Sequence, residues 1–299
     1  MSEIKSVAIA GASGNLGPHI LKALLDANFQ VTVLTRSQKP GAFDANVKVL
    51  EVDFTSKVSL TTALKGIDAV VSAVGHQGVE NQHILIDAAI AAGVKRFIPS
   101  EYGSCTTSPK VENLPIYIPM IKTRKYVQEK AKAGEITWTV LACGGFLSFL
   151  FDTPTLFDFA NHKATLFDEG DNRISTTSMP NVGKAIAAIL KNSDATKNKV
   201  LHTSEVIVTQ NKVLAIAKEL KPEINWDTTK VQTSAMLKEG LEQLSAGDFS
   251  MPVLMKLIGA TALGGDAYGS AYDETDNELL GIKELTEADL KQLVADRLA

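Results

Sequence analysis

The stretch Gly11-Ala12-Ser13-Gly14-Asn15-Leu16-Gly17 stands between an apolar run and a helix-forming run. Residues 7–10 predict a strand before it, and residues 19–25 predict a helix after it. In such a unit the first glycine allows a tight turn, the second lets backbone amides approach a pyrophosphate, and the third lets the helix pack against the strand. Glycines also mark ordinary turns, so the flanking strand and helix carry the interpretation. The stretch predicts a dinucleotide-binding turn made by Gly11, Ser13, Gly14, Asn15, Leu16 and Gly17.

The segments that follow alternate between strand and helix patterns. Further strands are predicted at residues 30–34, 47–52, 68–74, 96–99 and 137–142, and helices at residues 58–65, 81–92 and 122–133. This regular alternation is typical of a parallel sheet with helices on both faces. We therefore predict an α/β fold, a doubly wound parallel sheet of the Rossmann type, with residues 1–150 as the nucleotide-binding domain.

The pattern becomes less regular after residue 150. Helices are predicted at residues 181–191, 212–220 and 234–244, and residues 206–208 are predicted to add a late strand to the main sheet. Insertions after a sixth strand commonly form a smaller lobe over the reactive end of a cofactor. Residues 151–299 are therefore predicted to form a smaller C-terminal substrate-binding lobe, partly interleaved with the main sheet.

Composition excludes several classes of protein. The chain has 299 residues, 45% of them hydrophobic, and a net charge of −4, so it offers no basic surface for nucleic acid. No run approaches the roughly 20 apolar residues of a membrane-spanning helix, and no signal peptide is expected. The two cysteines fit a reducing compartment, and the histidines lack the spacing of a zinc site. We expect a cytoplasmic protein, monomeric or homodimeric, that binds a small molecule and no metal.

The end of the second strand indicates which nicotinamide cofactor is bound. A carboxylate there would bond the ribose hydroxyl of NAD, whereas an arginine would accommodate the 2'-phosphate of NADP. The chain has Arg36 and Lys39 in this place and no acidic residue. We therefore predict NADP, held by both cations, although the same charges would also suit a solvated loop. Asp53, after the third strand, would either contact the adenine or serve as a turn residue.

The fourth predicted strand ends at Val74-Gly75-His76, at the carboxyl edge of the sheet where open α/β folds bind ligands. Val74 and Gly75 are predicted to border the cofactor, because a glycine lets the backbone pass close to it. His76 would either line the site or face solvent.

A further motif follows the fifth strand. The run Lys95-Arg96-Phe97-Ile98-Pro99-Ser100-Glu101-Tyr102-Gly103, with the pieces above and Lys122, resembles the NmrA-like and isoflavone reductase-like family of atypical short-chain dehydrogenases. The run is similar to the family signature RFxPSEFG, with tyrosine in place of the phenylalanine. The resemblance covers residues 11–146 well, and the last third of the chain carries no family motif. It implies a Rossmann fold, NADP as cofactor and a reductase activity.

The resemblance also implies roles for two side chains. In that family a lysine at the position of Lys122 lies beside the nicotinamide and is the usual candidate acid/base, which would stabilise or protonate a substrate oxygen. Holding the nicotinamide ribose and a plain surface position are the alternatives for this lysine. Phe146 would lie against the nicotinamide or the substrate, or else in the core. The family often has asparagine at Gly144 and an aromatic residue at Pro119, so no plant substrate is carried over to this chain.

Three hydroxyl groups compete for a catalytic role. Tyr126 and Lys130 have the Tyr-x-x-x-Lys spacing of ordinary short-chain dehydrogenases, one helical turn apart. The family alignment places Lys122, not Lys130, at the lysine position, so we interpret this spacing as accidental. Ser100 and Tyr102 follow the fifth strand, where ordinary relatives carry a catalytic serine. They would polarise a carbonyl or only pack near the cofactor.

Two functions fit these patterns. The first is an NADPH-dependent reductase that transfers a hydride to a small aromatic or conjugated secondary metabolite, with Lys122 assisting at the substrate oxygen. The second is a redox-sensing regulator that resembles NmrA and binds the dinucleotide without turnover. Lys122 favours the enzyme, because sensors of this family tend to lack an acid/base there.

Overall fold

Strands and helices alternate along the first half of the chain in a computed structural model that describes residues 3–38, 41–44 and 47–299. The strands, in chain order, are Ser6–Ala10 (β1), Gln30–Thr35 (β2), Lys48–Glu51 (β3), Ala69–Ser72 (β4), Arg96–Ile98 (β5), Thr137–Ala142 (β6), Gly145–Phe146 (β7), Phe157–Asp158 (β8), Lys163–Phe167 (β9), Ile174–Thr177 (β10), Lys199–His202 (β11), Val206–Val208 (β12) and Asp227–Val231 (β13). The helices are Gly17–Asp26 (α1), Lys57–Ala63 (α2), His76–Val79 (α3), Gln82–Ala91 (α4), Ile118–Lys132 (α5), Leu147–Asp152 (α6), Met179–Lys191 (α7), Gln210–Leu220 (α8), Thr233–Ser245 (α9), Met251–Ala262 (α10), Asn277–Leu280 (α11) and Glu287–Leu298 (α12).

The large sheet runs in the order β3-β2-β1-β4-β5-β6-β11, with seven strands among the described residues. All of its neighbouring strands are parallel. The chain moves outward from β1 in one direction through β2 and β3, and then in the other direction from β4 to β6. Sheets of this kind bind ligands beyond the carboxyl ends of the strands where the direction reverses, here between β1 and β4. The predicted doubly wound parallel sheet is confirmed.

Helices cover both faces of this sheet. Every residue of β1 is buried, as a strand between two layers of helices requires. Val7 and Ile9 pack with residues of α1 and α7 on one face. Ala8 and Ala10 pack with residues of α2, α4 and α5 on the other face, because successive side chains of a strand point to opposite sides.

The seventh strand of the large sheet is β11, not the predicted segment 206–208. β11 follows α7 and pairs in parallel with β6, with Leu201 opposite Leu141. Residues 206–208 do form a strand, β12, but it pairs antiparallel with β10 in a separate three-stranded sheet. The prediction was wrong because an apolar run of three residues predicts a strand without recording which partner it meets.

The rest of the chain builds a second core on two small sheets, β12-β10-β7 and β13-β9-β8. Its side chains are mostly aliphatic, with an aromatic group that includes Phe151, Phe157 and Phe159. Phe159 meets Trp226 edge to face, with ring centroids 5.6 Å apart. Because α7 and β11 lie after residue 150 yet pack with the large sheet, the two parts of the fold interleave along the chain. Within the described ranges, no helix has both the length and the apolar character needed to cross a membrane.

Helix α5 begins at Ile118, four residues before the predicted start at Lys122. Pro119 lies in its first turn, where a proline is favoured because the amide it lacks would have no partner there. A short 3-10 helix, Pro115–Tyr117, leads directly into it. Lys122 therefore lies in the second turn of α5 and not at its start.

Candidate active site

The glycine turn between β1 and α1 is shaped by two close backbone contacts. Gly11 has φ of 91°, and a Cβ on it would lie 2.3 Å from the carbonyl oxygen of Ala73. A Cβ on Gly17 would lie 2.2 Å from the carbonyl oxygen of Gly11. Both positions therefore require glycine, Gly11 because it packs against the residue after β4 and Gly17 because it packs against the turn itself.

The outer part of the same turn is open. Ser13, Gly14 and Asn15 are exposed, and a Cβ on Gly14 would meet nothing closer than 3.5 Å. Leu16 caps α1 without a side-chain hydrogen bond, and the first turn of the helix holds no acidic residue. Such a helix start has backbone amides and a positive dipole end available to an anion. These features fit the pyrophosphate of a dinucleotide.

Arg36 follows β2 at the same edge of the sheet. Its side chain is exposed and has no hydrogen bond or ion pair to any other described residue. It borders an open depression of about 430 Å³ that is lined by Arg36, Glu51, Val52, Asp53, Phe54 and Thr55. The second predicted cation, Lys39, lies outside the described residues. An unpaired guanidinium beside a depression at this edge suits the phosphorylated adenosine half of NADP.

Asp53 forms a turn within this depression. Its carboxylate accepts hydrogen bonds from the Thr55 amide at 2.8 Å and the Thr55 hydroxyl at 2.6 Å. These bonds lower the pKa of Asp53 below its ordinary value. Of the two roles left open by the sequence, the structure gives Asp53 that of a turn residue.

The segments after β4 and β5 are joined by two hydroxyl groups. The Ser100 hydroxyl donates to the carbonyl oxygen of Val74 at 2.8 Å, and the Tyr102 hydroxyl donates to that of Ser72 at 3.0 Å. Burial raises the pKa of Tyr102. Gly75 is exposed and caps α3, which begins at His76. Ser100 and Tyr102 thus hold this edge of the site together, and both donate to the protein backbone.

Lys122 is exposed on α5 and bonds to no other described residue. The next two residues turn inward. The Thr123 hydroxyl lies 3.4 Å from the carbonyl oxygen of Val79 in α3, and Arg124 reaches Glu101 after β5. Residues two apart on a helix lie on different sides of it. α5 therefore packs against the segments after β4 and β5 through Thr123 and Arg124, and the Lys122 ammonium is left unpaired beside them.

Phe146 is half-buried and packs against the core on the α1 side of the sheet. The turn before it is tightly fixed, because Gly144 has φ of 69° and a Cβ there would lie 2.1 Å from the carbonyl oxygen of Ser175. The Gly144 amide donates to the Tyr272 hydroxyl at 3.3 Å, and that hydroxyl donates to the carbonyl oxygen of Ser104. The approach of Ser175 explains why the chain has glycine where the family often has asparagine.

A model of the NmrA-like family matches residues 3–273 of the chain. The chain belongs to the NmrA-like family. Oxidoreductase aprR of Aspergillus flavus is 32% identical over 282 residues, which cover 92% of this chain and 94% of the relative. These matches extend the family assignment well beyond residue 146, into the part of the chain that carries no recognisable motif.

Solved structures of similar fold include two reductases. A crystal structure of isoflavone reductase matches with a TM-score of 0.74 and 22% identity, covering 97% of this chain and 98% of that one. The NADPH-dependent quinone oxidoreductase of Escherichia coli, solved with NADPH, matches with a TM-score of 0.71 and 22% identity, covering 98% and 100%. The predicted family and fold are confirmed, and the relatives agree with the prediction of an NADP-dependent oxidoreductase.

In this NmrA-like protein Tyr126 and Lys130 interact with two different carboxylates. The Tyr126 hydroxyl donates to the Asp87 carboxylate of α4 at 2.6 Å. The Lys130 ammonium lies 3.6 Å from the Glu135 carboxylate and 5.6 Å from the centre of the Tyr126 ring. Tyr126 therefore ties α5 to α4, and Lys130 pairs with the segment that follows its own helix.

One charged pair at the site was not predicted from the sequence. Glu101 is 1% exposed and forms an ion pair with Arg124, which also donates to the carbonyl oxygen of Thr106 at 3.2 Å. Burial raises the pKa of Glu101 to about 7, and the nearby Arg124 charge opposes that rise. Glu101 belongs to the fifth-strand motif and Arg124 follows Lys122 closely. Only the packing of α5 over the end of β5 reveals that they meet.

Proposed function

We propose that this protein is an NADPH-dependent reductase that transfers a hydride to a small aromatic or conjugated acceptor. The observation that carries the proposal is the run of features along one edge of the sheet. The open turn at Gly14, the uncapped start of α1 and the unpaired Arg36 offer amides and a cation to the phosphates of NADPH. The name of the Aspergillus flavus relative supports an oxidoreductase.

The proposed cofactor site extends from the glycine turn to the segment after β4. Its adenosine half would be held by Arg36 and Lys39, and its nicotinamide half would reach the edge formed by Val74, Gly75, Lys122 and Phe146. When bound, NADPH supplies a hydride to a carbon of the acceptor. The pyrophosphate would lie on the turn that contains Gly11, Ser13, Gly14, Asn15, Leu16 and Gly17.

Lys122 is the proposed acid/base. Its ammonium is exposed and unpaired within the described part of the chain, so it is available to a substrate oxygen. Hydride addition leaves negative charge on that oxygen, which an ammonium stabilises and then protonates. The same ammonium is also suited to holding the nicotinamide ribose.

The proposed acceptor class follows from the relatives and from Phe146. Isoflavone reductase and the quinone oxidoreductase are named for aromatic or conjugated molecules. The half-buried ring of Phe146 offers an apolar face of the kind that packs against such molecules. We therefore propose conjugated enones, quinones and aryl ethers as the classes to examine first.

The test follows NADPH oxidation with a panel of these acceptors, using wild type, Lys122→Ala and Lys125→Ala. Lys125 is the matched control, because it is exposed on the same helix and pairs with Glu112. We expect turnover by wild type and Lys125→Ala, and a loss of about 10²-fold or more for Lys122→Ala. Full activity in Lys122→Ala would remove the lysine from the mechanism. Tight NADPH binding with no oxidation by any acceptor would instead favour a dinucleotide sensor.

A further inference from the structure

The Arg124 guanidinium is anchored through one of its nitrogens. Nη1 donates to the Glu101 carboxylate and to the carbonyl oxygen of Thr106 at 3.2 Å. Nε and Nη2 bond to no other described residue, and neither atom is buried. A further carboxylate that interacts with the Arg124 charge, that of Glu112, is bound by Lys125. Arg124 is thus anchored through Nη1, while Nε and Nη2 have no partner among the described residues and keep some contact with solvent.

The anchor connects this guanidinium to the proposed nicotinamide end of the site. Glu101 directly follows Ser100, whose hydroxyl donates to the carbonyl oxygen of Val74 at 2.8 Å. Val74 in turn follows Ala73, the residue against which Gly11 packs. Contacts and covalent neighbours together therefore connect the glycine turn, across the ends of β4 and β5, to Arg124.

Stability gives little reason for a buried pair in this place. A buried carboxylate and guanidinium lose so much hydration that apolar residues of similar size stabilise a protein equally well or better. Glu101 is 1% exposed and the Arg124 side chain is 14% exposed, so both have lost most of their water. A rigid, partly desolvated guanidinium with free donors is instead the arrangement that recognises an oxygen anion.

We propose that Arg124 contacts the oxygen of the acceptor and stabilises the negative charge that develops on it. The inference rests on the proposed function as an NADPH-dependent reductase and names a second residue for that reaction. The hydride, with its two electrons, bonds to the electrophilic carbon, and the π electron pair of the acceptor moves to its oxygen. The oxygen then takes a proton from water, or from Lys122, whose long flexible side chain would reach it from another side of α5. Arg124 keeps its own proton throughout, so it acts only through charge and hydrogen bonds.

The test uses two probes of one shape, benzoate and benzamide, of which only benzoate is charged. Each is titrated by calorimetry at pH 8 into protein saturated with NADP⁺. The variants are Glu101→Gln and the double variant Glu101→Gln/Arg124→Met, which removes both partners so that no buried carboxylate is left uncompensated. We expect wild type and Glu101→Gln to prefer benzoate by about tenfold or more, and the double variant to show no preference.

Three further variants keep the test decisive. Lys125→Met removes a neighbouring exposed cation and is expected to retain the preference. Should the double variant fail to fold, Arg124→Lys keeps the charge without the planar fork, and it is expected to weaken benzoate several-fold while leaving benzamide unchanged. The proposal is overturned if wild type shows no preference, if the Arg124 variants keep it in full, or if Lys122→Met abolishes it while they do not. If the wild-type protein does not bind NADP⁺ at all, the proposed function itself is contradicted.

Discussion

Gly183 of α7 lies so close to His19 of α1 that a Cβ on the glycine would stand 2.4 Å from the histidine carbonyl oxygen. The two helices therefore meet backbone to backbone at this point, on one face of the large sheet. Val182 and Ile186 flank the contact and are fully buried. The helix that follows the glycine turn is held by a helix from the second half of the chain.

The first prediction concerns this crossing. Gly183→Ala is expected to lower the free energy of unfolding by about 2 kcal/mol, because the added methyl group meets backbone that cannot move aside. Gly259→Ala in α10 is the matched control, since its Cβ would meet only the flexible end of Met236 at 3.2 Å. Urea unfolding followed by circular dichroism measures both. A Gly183→Ala protein as stable as wild type would show that the helices can separate without cost.

The second prediction separates the two roles of glycine in the cofactor turn. Gly14→Ala is expected to fold normally, because its Cβ would approach nothing closer than 3.5 Å. It should weaken NADPH binding by about tenfold or more, since the methyl group occupies the approach to the backbone amides. Gly17→Ala, with a Cβ 2.2 Å from the carbonyl oxygen of Gly11, should lose stability instead. Calorimetric titration and thermal unfolding distinguish the two outcomes, and unchanged NADPH affinity in Gly14→Ala would contradict the placement of the pyrophosphate.

The third prediction concerns cofactor choice. Wild type should bind NADPH much more tightly than NADH, because the exposed and unpaired Arg36 is available to a 2'-phosphate. Arg36→Ala should remove most of that difference and leave NADH affinity unchanged. Lys65→Ala, which removes an exposed cation after α2, serves as the control. Equal affinities of wild type for the two cofactors would disprove the assignment.

The fourth prediction concerns pH and Glu101. Its pKa is about 7 in the folded protein, above the ordinary value of 4.5, because burial disfavours the carboxylate. Between these two values the folded state binds the proton more tightly than the unfolded state, so stability from this group falls as pH rises. The full change is about 3 kcal/mol at most. Urea unfolding at pH 5 and pH 8 should show a smaller loss for Glu101→Gln than for wild type, and parallel losses would rule this carboxylate out as the cause.

The first half of the fold was predictable because its strands are short runs rich in β-branched and other apolar residues, bounded by turn residues and separated by helix patterns. Two misplacements have physical causes. Helix α5 begins four residues before its predicted start, because Pro119 is well tolerated in the first turn of a helix. The seventh strand, Lys199–His202, was missed because it has only four residues and begins with an exposed lysine. The smaller sheets depend on pairings between distant segments, which no local pattern records.

The same distinction between local patterns and long-range contacts applies to the candidate site. Local chemistry predicted binding roles for the glycine turn and Arg36, and these roles stay predictions, as do those assigned to Lys122 and Phe146. The Glu101 and Arg124 pair required the tertiary fold, because 22 residues separate the two along the chain and their types are common on surfaces. Tyr272 escaped prediction for the same reason, although its hydroxyl fixes the turn that carries Phe146.

The core beneath α1 contains residues from nearly the whole length of the chain. Leu280 and Ile282 pack in the same cluster as Val7 and Ile9. The core of the large sheet is therefore complete only after residues 280–282 have joined it, so a nascent chain that lacks them leaves part of this core uncovered. Apolar surface exposed in such a chain favours chaperone binding and aggregation over completion of the fold.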